Sequence, residues 1–350
     1  MEANTFQIVE GPYLRDILDQ PRALTATLEQ LEIPKELGIL ARRSRDGQIK
    51  RIVLTGMGAS FHALHPLFLC LNGYGHTAIA VETSELVHSL QRWLEPHTLI
   101  IAVSQSGQSA EIVRLIEENR GRAAIVGVTN AADSALALRA NALILTMAGK
   151  EFSVSCKTYV TALMALHLLG RFLCGSDAVR AREELEQTVP AVASYLHEWK
   201  AHVFEMTAEL GQVRHLFLLG RGASLAACGA GALVFKESVR LHAEGMSGAA
   251  FRHGPLEMVN GATFAVVFAG AETTRTLQAK LLDDIRQAGG KTGWIVEDGS
   301  PGAWNLPQTP PGVRHLLEIL PVQMMTLALA AQTGIEAGRF SRIPKITTTE

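Results

Sequence analysis

Ser104, Ser106 and Ser109 stand close together, with Gln105 and Gln108 between them and Gly107 at the centre. Hydroxyl and amide groups at this spacing are hydrogen-bond donors for an anion rather than acids or bases. The flanks say where they stand. Residues 99–103 form an apolar run rich in β-branched types, which reads as a buried strand of a parallel sheet. Residues 110–116 carry apolar side chains at 112, 113, 115 and 116, the pattern of an amphipathic helix. The serines therefore lie where a strand ends and a helix begins, where free N–H groups and the positive end of the helix dipole collect. A phosphate fits there, and Gly107 lets the backbone approach it. The lysine-bearing Walker pattern is absent, which disfavours a nucleotide P-loop. The competing reading is an ordinary polar loop with Ser109 as helix N-cap.

Two further places carry groups able to move protons. Residues 229–241 look helical, with Glu237 one turn from Leu233 and Leu241. A carboxylate on such a partly buried face can serve as a base; a solvated glutamate beside Lys236 is the plainer alternative. Residues 242–244 read as a helix terminus. His253 precedes Gly254-Pro255, a turn that holds it at an element end, either for structure or for proton transfer. His62 and His65 lack companions at ligand spacing, so no metal is expected. The methionines read as core filler.

These groups must be positioned by a larger frame, and the chain builds that frame twice. Residues 51–60, RIVLTGMGAS, recur as residues 215–224, HLFLLGRGAS. Residues 98–106 pair with 263–271, 124–129 with 293–297, and 142–146 with 315–319. Near-constant offsets predict two copies of one α/β unit, each a parallel sheet with helices on both faces. Ligands in such sheets bind beyond the carboxyl ends of the strands. The second copy has FAGAE in place of the serine loop, so one copy keeps the phosphate site and the other does not. The expected boundaries are an N-terminal helical segment at 1–44, the first copy at 45–175, a helical connector at 176–208, the second copy at 209–335 and a tail at 336–350. Pro21 and Pro34 should cut the first helical stretch, and Pro190 the connector.

Composition suits two domains with ample core: 350 residues, 47% hydrophobic and 19% charged. A net charge of −2 argues against nucleic acid or an anionic membrane as partner. The first residues have no basic start or long apolar run, so no signal peptide is expected, and no membrane span is expected elsewhere. The four cysteines lack CxxC spacing. Neither disulfides nor zinc are expected, and the cytosol is the default compartment.

The residues as a set resemble a known family. Both halves look like sugar isomerase (SIS) domains, and residues 45 to 350 are similar to the isomerase half of glucosamine-6-phosphate synthase and its stand-alone relatives. The resemblance rests on GMGAS at 56–60, the serine loop, AGKE at 148–151, HAE at 242–244, RHGPL at 252–256 and KITTTE at 345–350. It implies two flavodoxin-like parallel sheets flanked by helices. It implies that Ser60, Ser104, Gln105, Ser106 and Ser109 hold a sugar phosphate, and that Val154 and Cys156 contact the sugar. It implies that Glu237 shuttles a proton between C1 and C2, that His253 assists ring opening in a neighbouring subunit's site, and that Lys345 is the tail's catalytic lysine. A homodimer with a shared site follows, with neither metal nor cofactor.

The departures from the family pattern cluster around the sugar. Val234 stands where the synthase has a substrate-contacting lysine, Gln108 replaces a glutamate and Cys156 a serine. Lys157-Thr158 inverts the usual order, and Arg342 lies three residues before Lys345 rather than four, with Ser341 in the family arginine's place. No cysteine nucleophile follows Met1 and no glutaminase segment is visible, so glutamine is not expected as ammonia source. The reading that results is an aldose–ketose isomerase of a phosphosugar or aminosugar phosphate, foremost an isomerising deaminase of glucosamine 6-phosphate or a close analogue. A plain phosphosugar isomerase or a deglycase comes next. A non-catalytic sugar-phosphate sensor is the alternative of another class, and it would need the serine loop but not Glu237, His253 and Lys345.

Overall fold

The computed structural model describes residues 8–340 together with Arg342 and Lys345. Among them are nine named strands: β1 (Arg51–Gly56), β2 (Ala78–Glu82), β3 (Thr98–Val103), β4 (Ala124–Thr129), β5 (Ala142–Leu145), β6 (His215–Gly220), β7 (Ala243–Ser247), β8 (Thr263–Phe268) and β9 (Lys291–Ile295). They form two sheets, ordered β2-β1-β3-β4-β5 and β7-β6-β8-β9, with every pairing parallel. The first is the flavodoxin-like order, and the second is the same order without its last strand. The central strands β3 and β8 are buried at every position. A parallel strand covered by helices on both faces needs such a continuous apolar run. Each buried Leu, Ile or Val contributes about 1.5–3 kcal/mol.

By contacts the chain divides into two units. One comprises Arg22–Glu151, Cys156–Leu185 and the residues from 341 onward. The other comprises the residues through Pro21, then Phe152–Ser155 and Glu186–Phe340. In the first, Val53, Ile100 and Ala102 of the sheet pack on Leu86, Val87, Ile112 and Leu115 of the helices Thr83–His88 and Ala110–Asn119. In the second, Phe217, Leu219, Ala265 and Val267 pack on Phe251, Leu281 and Ile285, with Phe217 and Phe251 edge to face at 5.0 Å.

Four local expectations change. Residues 315–319 form no strand; a short 3-10 turn, Arg314–Leu316, leads into helix Ile319–Thr333. That helix is apolar around its whole circumference and buried along most of its length, so its leading residues join a core helix instead of a sheet edge. Pro190 does not interrupt the connector, because helix Ala178–His197 runs through it and the break falls at Glu198. The loss of one backbone bond, about 3 kcal/mol, is offset by burial of Val192, Tyr195 and Leu196 beyond it. Pro21 lies in the first turn of helix Gln20–Gln30, where its missing N–H costs nothing, and the break precedes it at Asp19. Residues 243–247 are strand β7 rather than a helix end, as pairing with β6 captures them.

Among the described residues one segment, Arg314–Thr333, has the length and hydropathy of a membrane span, but 83% of its apolar 18-residue stretch is buried inside the protein.

Candidate active site

Strands β1 and β3 are neighbours, with Gly56 opposite Val103 at their carboxyl ends. The chain leaves β1 into helix Gly58–Ala63, which carries Ser60, and leaves β3 into the serine loop. This adjacency places Ser60 beside the loop at the point where the sheet order reverses. The loop is pinned from below. The Ser104 N–H donates to the Val128 carbonyl at 3.0 Å, and the Asn130 N–H and Thr129 Oγ1 donate to the Gln105 carbonyl at 3.1 and 3.2 Å. Gly107 has φ +59°, and a Cβ there would press on the Ser134 side chain, so only glycine fits. Ser104 Oγ accepts the Gly107 N–H at 3.1 Å and Ser106 Oγ accepts the Gln108 N–H at 3.3 Å. Ser109 occupies the N-cap of helix Ala110–Asn119 but makes no side-chain cap bond, which leaves its hydroxyl uncommitted to its own helix.

Beside the loop lies a cavity of about 470 Å³ lined by Gln105, Asn130, Thr146, Gly149, Glu151 and Lys345, among others. Its far wall is organised by Glu151, whose side chain is fully buried. Glu151 Oε1 accepts the N–H groups of Cys156 and Thr158 at 3.0 and 3.1 Å, and Oε2 accepts Thr158 Oγ1 at 2.7 Å. The carboxylate thus satisfies orphan donors at the start of helix Lys157–Leu173, where the dipole also favours it. Lys345 Nζ donates to the Glu151 carbonyl at 2.7 Å and to Oε2 at 3.1 Å. Asn130 closes the rim, donating through Nδ2 to the Gly149 carbonyl and accepting the Ala148 N–H, both at 2.9 Å. Glu151 and Asn130 are the site residues that pattern alone did not single out. The AGKE motif contained the first, but its cation partner Lys345 lies 194 residues away in sequence.

The remaining candidates sit as follows. Val154 and Cys156 are fully buried, and neither is among the described lining residues of the cavity. Glu237 is half-buried in the last turn of helix Leu225–Ser238, and the helix ends just before Arg240, which has φ +56°. His253 is exposed and caps the short helix Gly248–Arg252, its N–H donating to the Ala250 carbonyl at 2.9 Å. Glu237, His253 and Val154 belong to one unit, and the serines, Gln105, Cys156 and Lys345 to the other. Of the tail motif, Lys345 is described, whereas Ser341 and residues 346–350 lie outside the described residues.

The second copy fills the corresponding place with its own side chains. Ser224, the counterpart of Ser60, donates its hydroxyl to Glu318 Oε1 at 2.7 Å. Arg314 Nη1 reaches the Gly270 carbonyl and Nε reaches Glu297 Oε2, both at 2.6 Å. Burial pushes the Glu318 carboxyl up to about 7, against the Ser224 hydrogen bond and Arg314. An acid whose folded value exceeds its unfolded one stabilises the fold fully below the unfolded value of about 4.5 and loses that contribution as pH rises through about 7. Glu318→Gln should remove this slope. Denaturant unfolding at pH 5 and pH 8 is expected to show the wild type losing on the order of 3 kcal/mol more than the variant. Equal losses would assign the slope to other groups.

A model of the SIS domain matches residues 48–170 and 209–303. The chain belongs to the SIS domain family. The SIS chain is 29% identical, over 96% of its length, to glutamine–fructose-6-phosphate aminotransferase (isomerizing) from Pyrococcus horikoshii. It spans 57% of that enzyme, just over half the length of the curated relative. Its fold superposes on the C-terminal domain of glucosamine-fructose-6-phosphate aminotransferase from Francisella tularensis with a TM-score of 0.82, at 20% identity, covering 94% of this chain and 98% of that one. It also matches glucosamine-6-phosphate deaminase from Thermotoga maritima with a TM-score of 0.77, at 17% identity, covering 97% and 100%. These likenesses fall in one fold, and they locate the serine loop in the first of its two SIS domains.

Proposed function

We propose that this SIS protein is an aldose–ketose isomerase of a phosphorylated aminosugar, acting as an isomerising deaminase of glucosamine 6-phosphate or a close analogue. The observation that carries the reading is the serine loop and Ser60 at the switch point of the first sheet, beside a cavity where Lys345 meets buried Glu151. The loop takes the phosphate. Glu237 removes the C2 proton of the open-chain aldose and returns it to C1. The resulting ketimine is hydrolysed by water to a ketose phosphate and ammonia. His253 transfers a proton to the ring oxygen on opening. The named relatives act on hexose phosphates and aminosugar phosphates, which supports the substrate class.

The test is incubation with glucosamine 6-phosphate, following ammonia and fructose 6-phosphate together. Stoichiometric release of both is expected. Ketose without ammonia from a phosphoaldose would indicate the plain isomerase. Amine release only from phosphorylated sugar–amino acid adducts would indicate the deglycase. Tight binding with no turnover of any of these would overturn the enzymatic reading in favour of a sensor.

Two predictions belong here. Charged hydrogen bonds contribute about 1.5–3 kcal/mol each, so Ser104→Ala with Ser106→Ala should weaken sugar-phosphate binding by tens-fold or more. Calorimetry with unchanged affinity would remove the phosphate from this loop. We also propose a homodimer that shares its sites through His253. Inactive Glu237→Gln and inactive His253→Ala chains, mixed under subunit exchange, should regain part of the activity in hybrid dimers. No recovery after verified exchange would place His253 in its own subunit's site.

A further inference from the structure

In the unit that carries the serine loop, helix His65–Gly73 packs against helix Lys157–Leu173. Gly170 permits the approach: a Cβ there would stand 2.8 Å from Leu67 Cδ1 and 3.5 Å from Cys70 Sγ. At this contact Cys70, on the first helix, and Cys174, the cap of the second, bring their Sγ atoms to 3.7 Å across 104 residues of chain. Both are part-exposed, and beside them Ser176 Oγ donates to Tyr74 Oη at 3.2 Å, holding the two helix ends in register. The other two cysteines, Cys156 and Cys228, are fully buried.

The pair is chemically asymmetric. The hydrogen bond from the Cys174 thiol draws Cys70 down to about 7, helped by the Arg171 guanidinium and opposed by burial. The same hydrogen bond, with burial, pushes Cys174 up. Arg171 Nε is buried and has no hydrogen-bond partner among the described residues, so its charge is not spent on a carboxylate through that atom. A thiolate-prone, accessible cysteine next to a second thiol is the arrangement of an attacking and a resolving cysteine.

We propose that Cys70 and Cys174 form a site of oxidative modification that hydroperoxides convert to an intrachain disulfide. The Cys70 thiolate attacks the peroxide O–O bond; one oxygen stays on sulfur as sulfenic acid and the other leaves, protonated to water or an alcohol. Cys174 Sγ then attacks the Cys70 sulfur. The S–S bond forms, the S–O bond breaks, and the hydroxyl leaves with the Cys174 proton as water. Two thiols lose two electrons and one hydroperoxide gains them. Side-chain rotation must close the sulfur atoms to about 2.05 Å. The bridge would pin the far end of the helix whose N-terminus is held by Glu151.

The experiment treats the reduced full chain with hydrogen peroxide, blocks remaining thiols with iodoacetamide and maps the peptides. The Cys70 and Cys174 peptides should be recovered mainly as one linked species, separable by dithiothreitol, with Cys156 and Cys228 still alkylatable after denaturation. In Cys174→Ala, dimedone should trap Cys70 sulfenic acid at least ten-fold above wild type. Separately alkylated Cys70 and Cys174 after peroxide, a link to a different cysteine, or equal dimedone labelling in both chains would overturn the proposal. The linkage map needs only the wild type, so a variant that fails to fold does not weaken the test.

Discussion

Glu237→Gln should lower turnover by about 10²–10⁴-fold, the range a positioned base contributes, and leave sugar-phosphate binding nearly intact. The substitution keeps the shape of the side chain and removes its basicity. Glu237 is half-buried at the end of helix Leu225–Ser238, in the unit that does not carry the serine loop. A change there should therefore separate proton transfer from phosphate affinity. The direct readout is exchange of the substrate C2 proton with deuterated water, followed by NMR. Wild type should exchange and the variant should not. Exchange at the wild-type rate in the variant would make Glu237 a solvated helix residue, and His242 and Glu244 would be next in line as the base.

Glu151→Ala is expected to have the largest effect on stability. Its carboxylate accepts two backbone N–H groups, the Thr158 hydroxyl and the Lys345 ammonium, from a fully buried position. Buried donors left without an acceptor cost about 1–3 kcal/mol each. The total loss should be on the order of 3–5 kcal/mol, comparable with breaking a buried pair. That corresponds to a fall in the melting midpoint of roughly 4–7 °C for a chain of this length, read by calorimetry or circular dichroism. Lys345→Met leaves Glu151 its hydrogen bonds from Cys156 and Thr158 but strips a buried carboxylate of its cation, so it should lose activity and melt below wild type by less than the Ala variant. An Ala variant that melts like wild type would show that helix Lys157–Leu173 does not depend on this cap.

The serine loop was legible because each part of its signal is local. A β-branched run, a polar stretch with one glycine and an amphipathic helix follow one another within about five turns' worth of helix length. The duplication was legible for the same reason: RIVLTGMGAS and HLFLLGRGAS preserve strand, turn and helix start together, and the two sheets share their order up to the last strand. What failed was decided by competition for burial. Residues 315–319 have a strand-like composition, but the apolar segment behind them makes a core helix, and the helix wins them. Pro190 breaks a helix in isolation, and packing on both sides of it keeps this one continuous.

The sequence by itself determined the strand–serine–helix junction, its presence in only one of two copies and the list of groups able to move protons. Those depend on hydrogen-bonding capacity and periodicity, which residue types carry with them. Only the tertiary structure decided that Glu151, beside the start of helix Lys157–Leu173, holds Lys345 across 194 residues. It likewise decided that Ser224 meets a buried Glu318, and that Cys70 and Cys174 touch. Each of these pairings exists because packed helices and adjacent strands bring distant residues within a few ångströms. No local pattern encodes that distance, since it is set by which faces the whole chain buries.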